Sequence, residues 1–299
     1  MAQIIEYGTH LSLYLLVVMQ ADIVNVVVIR FSLRVKEWQS RLFFDEKSRE
    51  SWFRYRAELY RSTLGRSLSH QTLKPFRTYL LMDEGDRSLH EKYLGGLDFT
   101  PIFSDRNHFQ IVADDLKRLG VVDNVAVTRV DSDDIVERLY FEKINSKIRE
   151  LKDVGKKSAL IATCCGYRTN FLEIQSAFHC APPFITLFRE SYKGENVYSH
   201  DHREISEMEH VIDTSAEWMQ VIHGTNVSNK LKPSNADSLD KFKAGDMGSG
   251  FTQKRPIDSE WFKIWSGFDL PDSSLFARAP IATTRSRIRW LWRLLSGKI

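Results

Sequence analysis

Cysteine is scarce in this chain, and what there is cannot cross-link it. Cys164, Cys165 and Cys180 are the only three. An odd count with two neighbours excludes a disulfide framework and points to a reducing compartment. A zinc set can be drawn from Cys164, Cys165, His179 and Cys180, but the spacing matches no familiar ligand pattern, so buried free thiols are the better reading. Long apolar runs are missing too. "LSLYLLVVM" (11–19) is broken by Gln20, Asp22 and Asn25, which makes it too short to span a bilayer. No basic n-region precedes it, against a signal peptide. A start at Met19 would leave the first residues outside the fold, and 1–22 read as an N-terminal extension. No Walker-type or Gly-rich phosphate loop follows the first apolar run, which counts against the commonest phosphoryl and nucleotidyl transferases.

Acidic residues are lacking in the C-terminal stretch. From Ser273 to Ile299 there is no Asp or Glu, while Arg278, Arg285, Arg287, Arg289, Arg293 and Lys298 supply six positive charges; the formal net charge of +3 therefore leaves −3 for the rest. The body is not a basic nucleic-acid binder. In "RIRWLWRLL", Ile288, Leu291, Trp292 and Leu295 fall at i, i+3, i+4 and i+7, the pattern of a basic amphipathic helix. Such a helix suits either an anionic membrane surface or docking on its own domain. This reading places the protein in the cytoplasm, with a peripheral membrane position open to it.

What the chain has is an alternation of strand-like and helix-like segments. "IVNVVVIRFSL" (23–33) reads as a buried strand. A helical stretch with Trp38, Leu42, Trp52, Tyr55 and Leu59 follows, then "FRTYLLMDEGD" with a strand ending at Asp83, "FTPIF" as a short strand, and "FQIVADDLKRLG" as a helix. "NVAVTRVDSDD" is a further strand, and "IVERLYFEKINSKIRELK" a helix for which Asp134 and Glu137 allow a capping box. The residues from Gly224 to Asp258 turn to Gly, Ser, Asn, Asp and Lys and predict a long loop. This alternation predicts an α/β fold with a mostly parallel sheet flanked by helices and a C-terminal helical appendage. Its parts are a main domain over 23–229, a flexible loop or lid over 230–260, and a C-terminal helical segment over 261–299.

In such sheets ligands bind beyond the carboxyl ends of the strands, so the polar residues that close the apolar runs carry the functional interest. Asp131 and Asp133, two apart in an extended segment, point the same way, with Asp134 opposite. Two carboxylates side by side need a compensating cation. Mg²⁺ or Mn²⁺ bound by one or two acids and a diphosphate is the natural choice, while Asp134 can serve simply as a helix cap.

"VVVIRFSL", "SLSHQTLKPFRTYLLMDEGD", "TRVDSDD" and "WMQVIHGTNVSN", in this order and spacing, resemble the bacterial GT-A-fold glycosyltransferases of the rhamnosyltransferase group, over roughly residues 23–229. The resemblance implies transfer of a sugar, rhamnose in the group's description, from a dTDP-, UDP- or GDP-sugar to a surface-polysaccharide or lipid-linked glycan acceptor, with inversion expected. It places Arg30, Phe31 and Ser32 near the nucleotide, Asp83 at the base or ribose and Arg129 on the phosphates. Asp131 and Asp133 become the DxD pair, with His223 completing a Mn²⁺ or Mg²⁺ site. Candidates for the general base lie in "FITLFRESYKGENVYSHDHREI": Asp201 first, with Glu190 and the flanking His200 and His202 behind it. Two other classes fit less well, a Mg²⁺-dependent nucleotidyl or phosphoryl transferase and a non-catalytic assembly protein acting through the tail.

Overall fold

The computed structural model describes residues 22–33, 46–104, 108–179, 182–198, 210–223, 231 and 249–277. Four parallel strands form its first half: β1 (Val24–Arg30), β2 (Arg77–Met82), β3 (Thr100–Phe103) and β4 (Asp123–Asp131), in the order β4-β1-β2-β3. Parallel strands need crossovers, and the helices supply them. α1 (Glu46–Ser62) and α2 (Leu64–Ser69) run between β1 and β2, α3 (Arg87–Leu94) between β2 and β3, and α4 (His108–Arg118) between β3 and β4. β1 is buried on both faces, which is why it reads as a continuous apolar run and not as an alternation.

Past β4 the sheet turns mixed. β5 (Ile135–Val136), α5 (Tyr140–Asp153), β6 (Ser158–Thr169), β7 (Glu173–His179), β8 (Ile185–Ser191) and β9 (Val211–Val221) follow in sequence. β8 lies antiparallel to β4 and to β6, and β7 antiparallel to β6, whereas β9 runs parallel to β6. β10 (Ser249–Phe251) and β11 (Arg255–Pro256) both pair with β7, so the end of the predicted 224–258 loop is sheet. α6 (Ser259–Ser266) and α7 (Ser274–Ala277) form the described part of the C-terminal segment. The α/β architecture with flanking helices is therefore the one the alternation predicts. Its parallel strands are β4-β1-β2-β3 of the N-terminal block and the pair β6-β9.

One core lies on each face of the parallel block. Val27, Ile29 and Phe31 point to one side, where they meet Phe53, Ala57 and Tyr60 of α1 and Phe141, Ile144 and Ile148 of α5. Val24, Val26 and Val28 point to the other, towards Phe109, Val112 and Leu116 of α4. A third cluster joins Ile135 and Met219 to Phe262, Trp265 and Phe268. Asp258 caps α6, its carboxylate accepting from the backbone N–H groups of Glu260 at 2.9 Å and Trp261 at 3.2 Å. Asp258→Ala is expected to cost about 1 kcal/mol, read as a lowered midpoint in urea unfolding with unchanged slope.

The pairing of β6 with β9 carries an irregularity that matters below. Thr163 faces Asp213 and Cys165 faces Glu217, so two steps along β6 match four along β9. Asp213 holds the extra residues in place, accepting from Ser215 N at 2.9 Å and Ser215 Oγ at 2.7 Å. Among the described residues no helix is long and apolar enough to cross a membrane. Residues 1–21, most of the 230–260 lid and the basic tail lie outside the described residues.

Candidate functional site

The carboxyl ends of β1 and β4 lie side by side, Arg30 pairing with Asp131. Regular alternation stops there. Asp131 to Asp134 form a turn closed by Asp134 N–H donating to the Asp131 carbonyl at 3.2 Å. The expectation that Asp131 and Asp133 share a direction as members of one strand therefore gives way to a turn. Asp133 and Asp134 have separate partners.

Asp133 is buried, and its Oδ2 meets His223 Nε2 at 2.6 Å and Arg56 Nη1 at 3.0 Å. Burial alone would raise the carboxyl; the Arg56 guanidinium and the hydrogen bond to His223 outweigh it and hold Asp133 well below the usual carboxylate range. His223 has a fully enclosed side chain, and burial pushes its imidazole down against the pull of Asp133. The Tyr55 ring packs edge-on to it with centroids 5.8 Å apart. Arg56 also donates to Ser132 Oγ through Nη2.

Asp134 behaves differently. Its Oδ1 accepts from Val221 N–H at 3.0 Å, tying the turn to the end of β9 two residues before His223. Burial, then the neighbouring Asp133 and Asp131 charges, raises its carboxyl well above the ordinary value. The predicted capping box is absent. Residues 135–136 are strand, the helix begins at Tyr140, and Glu137 instead accepts from Glu217 N–H at 2.7 Å and from Lys143 Nζ at 2.7 Å. A buried backbone N–H at the strand end takes precedence over a helix cap because no water can replace its partner.

Of the other expected residues, Arg30 lies in the crevice. With Leu81, His108, Gln110, Asn196 and Tyr198 it lines a cleft of about 540 Å³, its guanidinium 4.2 Å from the centre of the Tyr198 ring. Burial, followed by opposing effects of Arg30 and Asp131, raises the Tyr198 phenol to about 12; its hydroxyl donates to the Val28 carbonyl at 2.9 Å. Ser32 is buried with a hydroxyl that has no hydrogen-bond partner. Asp83 ends β2, accepts from Gly85 N–H at 3.0 Å and lies 3.9 Å from Arg49, which is anchored on buried Asp86 through Nε at 2.6 Å.

Two expectations, for Phe31 and Glu190, are corrected. Phe31 is a core residue, its ring edge-on to Phe53 at 5.2 Å on the α1 face, because alternation along β1 sends it away from Arg30. Arg129 is buried, donates to the carbonyls of Pro183 at 3.1 Å and Val197 at 3.4 Å, and has its guanidinium 5.7 Å from the centre of the Tyr198 ring on the cleft wall. Glu190 sits at the far end. β8 is antiparallel to β4 with Ser191 opposite Asp123, so Glu190 lies roughly 20 Å along the strand from Asp131 and pairs with Lys157 at 3.2 Å. Asp201, His200 and His202 lie outside the described residues. So does Cys180; Cys164 is buried on β6, and burial raises Cys165 to about 11, as for inert thiols.

Sequence reasoning missed Arg56 and Tyr55 of α1. The signal was available. Phe53, Ala57 and Tyr60 form an apolar stripe, and Arg56, three residues after Phe53 and one before Ala57, borders it, where an unpaired charge is costly.

The chemistry of the cluster suits a divalent ion. A carboxylate oxygen and an imidazole nitrogen meet at the strand ends, near Asp134 and Tyr55, whose Oδ2 and hydroxyl are buried without a hydrogen-bond partner among the described residues. Such a pair fits Mn²⁺, which accepts nitrogen and oxygen, with water and phosphate oxygens completing the shell. Among the described residues no three His, Cys, Asp or Glu side chains are gathered closely enough to hold an ion by themselves. Asp131 stands at the start of the turn, towards Arg30 and Tyr198, and not in the bonded set.

Fold and crevice together define a class, a Rossmann-like mixed α/β protein with a charged site at the carboxyl ends of its parallel strands. No family model matches the chain, and no curated protein does. Solved structures give distant likenesses. S. aureus TarS 1-349 is 14% identical over 48% of this chain and 36% of that one, with a TM-score of 0.26. The inositol-1-phosphate CTP transferase from T. maritima is 12% identical over 68% and 90%, with a TM-score of 0.29. The mannose-1-phosphate geranyltransferase from Thermus thermophilus is 11% identical over 67% and 58%, also at 0.29. Likenesses this distant carry no activity over to the chain.

Proposed function

We propose that the chain is a nucleotide-sugar-dependent glycosyltransferase. The observation that carries this reading is the meeting of Asp133 and His223 at 2.6 Å in the crevice where β1 and β4 end. A cleft of about 540 Å³ at the end of β1, with Arg30 and the Tyr198 ring on its wall, is of a size and character suited to a nucleoside diphosphate.

In this reading Arg30 and Tyr198 receive the nucleotide, and Asp83 marks the base or ribose end. Asp133 and His223, with Asp131 beside them, would hold Mn²⁺ or Mg²⁺. That ion, when bound, neutralises charge on the leaving diphosphate. The acceptor hydroxyl oxygen attacks the anomeric carbon, the bond from that carbon to the diphosphate oxygen breaks, and the nucleoside diphosphate departs with the electron pair. The hydroxyl proton passes to a base, for which Asp201 or His202 is the sequence candidate. Inversion, a rhamnosyl donor and a surface or lipid-linked glycan acceptor follow from the family resemblance. Membrane contact through the basic tail suits a lipid-linked acceptor.

A panel of UDP-, dTDP- and GDP-sugars, with and without Mn²⁺, tests the reading. One donor is expected to raise Tm, since ligands that bind only the folded state stabilise it, and slow turnover with water should release its nucleoside diphosphate. Release of pyrophosphate from a nucleoside triphosphate instead would favour a nucleotidyl transferase and end this proposal.

A further inference from the structure

Among the described residues, the cation that compensates Asp133 is a guanidinium. Arg56 places Nη1 3.0 Å from Asp133 Oδ2, the same oxygen that meets His223, and fixes its other terminal nitrogen on Ser132 Oγ within the same turn. The remaining Nε is buried and makes no hydrogen bond among the described residues, so the contacts of the group there lie in the Ser132–Asp133 segment. Atoms that share a divalent ion at about 2.1 Å each sit about 3 Å apart. An ion entering between His223 Nε2 and Asp133 Oδ2 must therefore widen their contact and take up an oxygen that Arg56 now holds. A guanidinium left in place would face a doubly charged ion across one carboxylate.

We propose that Arg56 is the resident counter-cation of the site. It is a positioning residue that keeps the Asp131–Asp134 turn formed in the free protein, and it competes with the divalent ion for the Asp133 carboxylate. The inference rests on the assignment of Asp133 and His223 to an ion. It predicts a specific trade: the arginine stabilises the empty turn and lowers ion affinity. Two like charges about 5 Å apart at a partly buried site repel enough to change an equilibrium constant by tenfold or more.

The test is isothermal titration of Mn²⁺ into the free, full-length protein with no donor present, together with Tm measured with and without Mn²⁺. Arg56→Gln is expected to bind Mn²⁺ about tenfold more tightly than the parent, to melt lower without the ion, and to regain more of its Tm when the ion is added. Arg56→Lys, which keeps the charge, should stay near the parent. Ser132→Ala, which releases only one anchor of the guanidinium, should shift affinity in the same direction by less, and it serves should Arg56→Gln fold poorly. Weaker or equal Mn²⁺ binding in both Arg56→Gln and Ser132→Ala, or no Mn²⁺ binding to any form, overturns the proposal. Because no donor is used, these outcomes are separate from failure to release a nucleoside diphosphate, which would count against the transferase reading alone.

Discussion

Asp133→Asn is expected to lower kcat/KM for donor turnover by about 10³-fold, the scale seen when one preorganised charge is removed from a reacting centre. The amide keeps the size of the side chain and can still accept from His223. It cannot neutralise Arg56, which lies 3.0 Å from the present carboxylate, nor offer a charged oxygen to an ion. Asp134→Asn should lose far less, because its oxygen remains to accept from Val221 N–H, the bond that ties the turn to β9. Rates of nucleoside diphosphate release for the two variants, with circular dichroism to verify folding, check this. A loss below tenfold at Asp133, or an equal loss at both positions, would remove Asp133 from the reacting centre.

The second large effect concerns folding. Gly166→Ala is expected to destabilise the protein by about 3 kcal/mol, the upper part of the range for overpacked cores, and to lower Tm by roughly 10 °C. A Cβ at Gly166 would lie 2.3 Å from Cδ2 of Trp218 and 2.5 Å from two further ring atoms. The indole has little room to retreat. It is fully buried, stacked on Phe184 with centroids 5.1 Å apart and planes at 13°, and its Nε1 donates to the Thr163 carbonyl at 2.6 Å. Pairing of Gly166 with Trp218 across β6 and β9 fixes the approach. Trp218→Leu should be costly alone, yet in its background the added cost of Gly166→Ala should shrink, a coupling that a double-mutant cycle in urea measures. Additive losses would show that the crowding is relieved elsewhere.

The sequence showed the two strands that build the crevice because they are buried on both faces: the apolar runs before Arg30 and before Asp131 leave no other reading. Asp133 and His223 were legible as polar residues at strand ends, and the structure brings them together across ninety residues of chain. The partners of Arg129 were not legible, because the carbonyls of Pro183 and Val197 come from segments before and after β8 whose paths no local pattern records. Glu190 was misplaced for a topological reason. It closes an apolar run as the others do, but β8 enters antiparallel, which puts its carboxyl end beside the start of β4. Arg56 stayed hidden because a charged residue on a helix is ordinarily solvated, and only the approach of the Ser132–Asp133 turn gives this one buried partners.

The unequal stretch of β9 against β6 ties chain length to chemistry. Beyond Asp213 and Glu217, every partner down to Thr169 and Val221 is set by how many residues are accommodated there, and His223 follows two positions on. Side chains alternate faces along a strand, so gaining or losing a single residue at Ser215 or Ala216 would rotate the imidazole out of the crevice and break a contact made far from the lesion. The neighbourhood of Asp213 should thus be among the places in this protein least forgiving of an indel, even though no residue there touches the crevice.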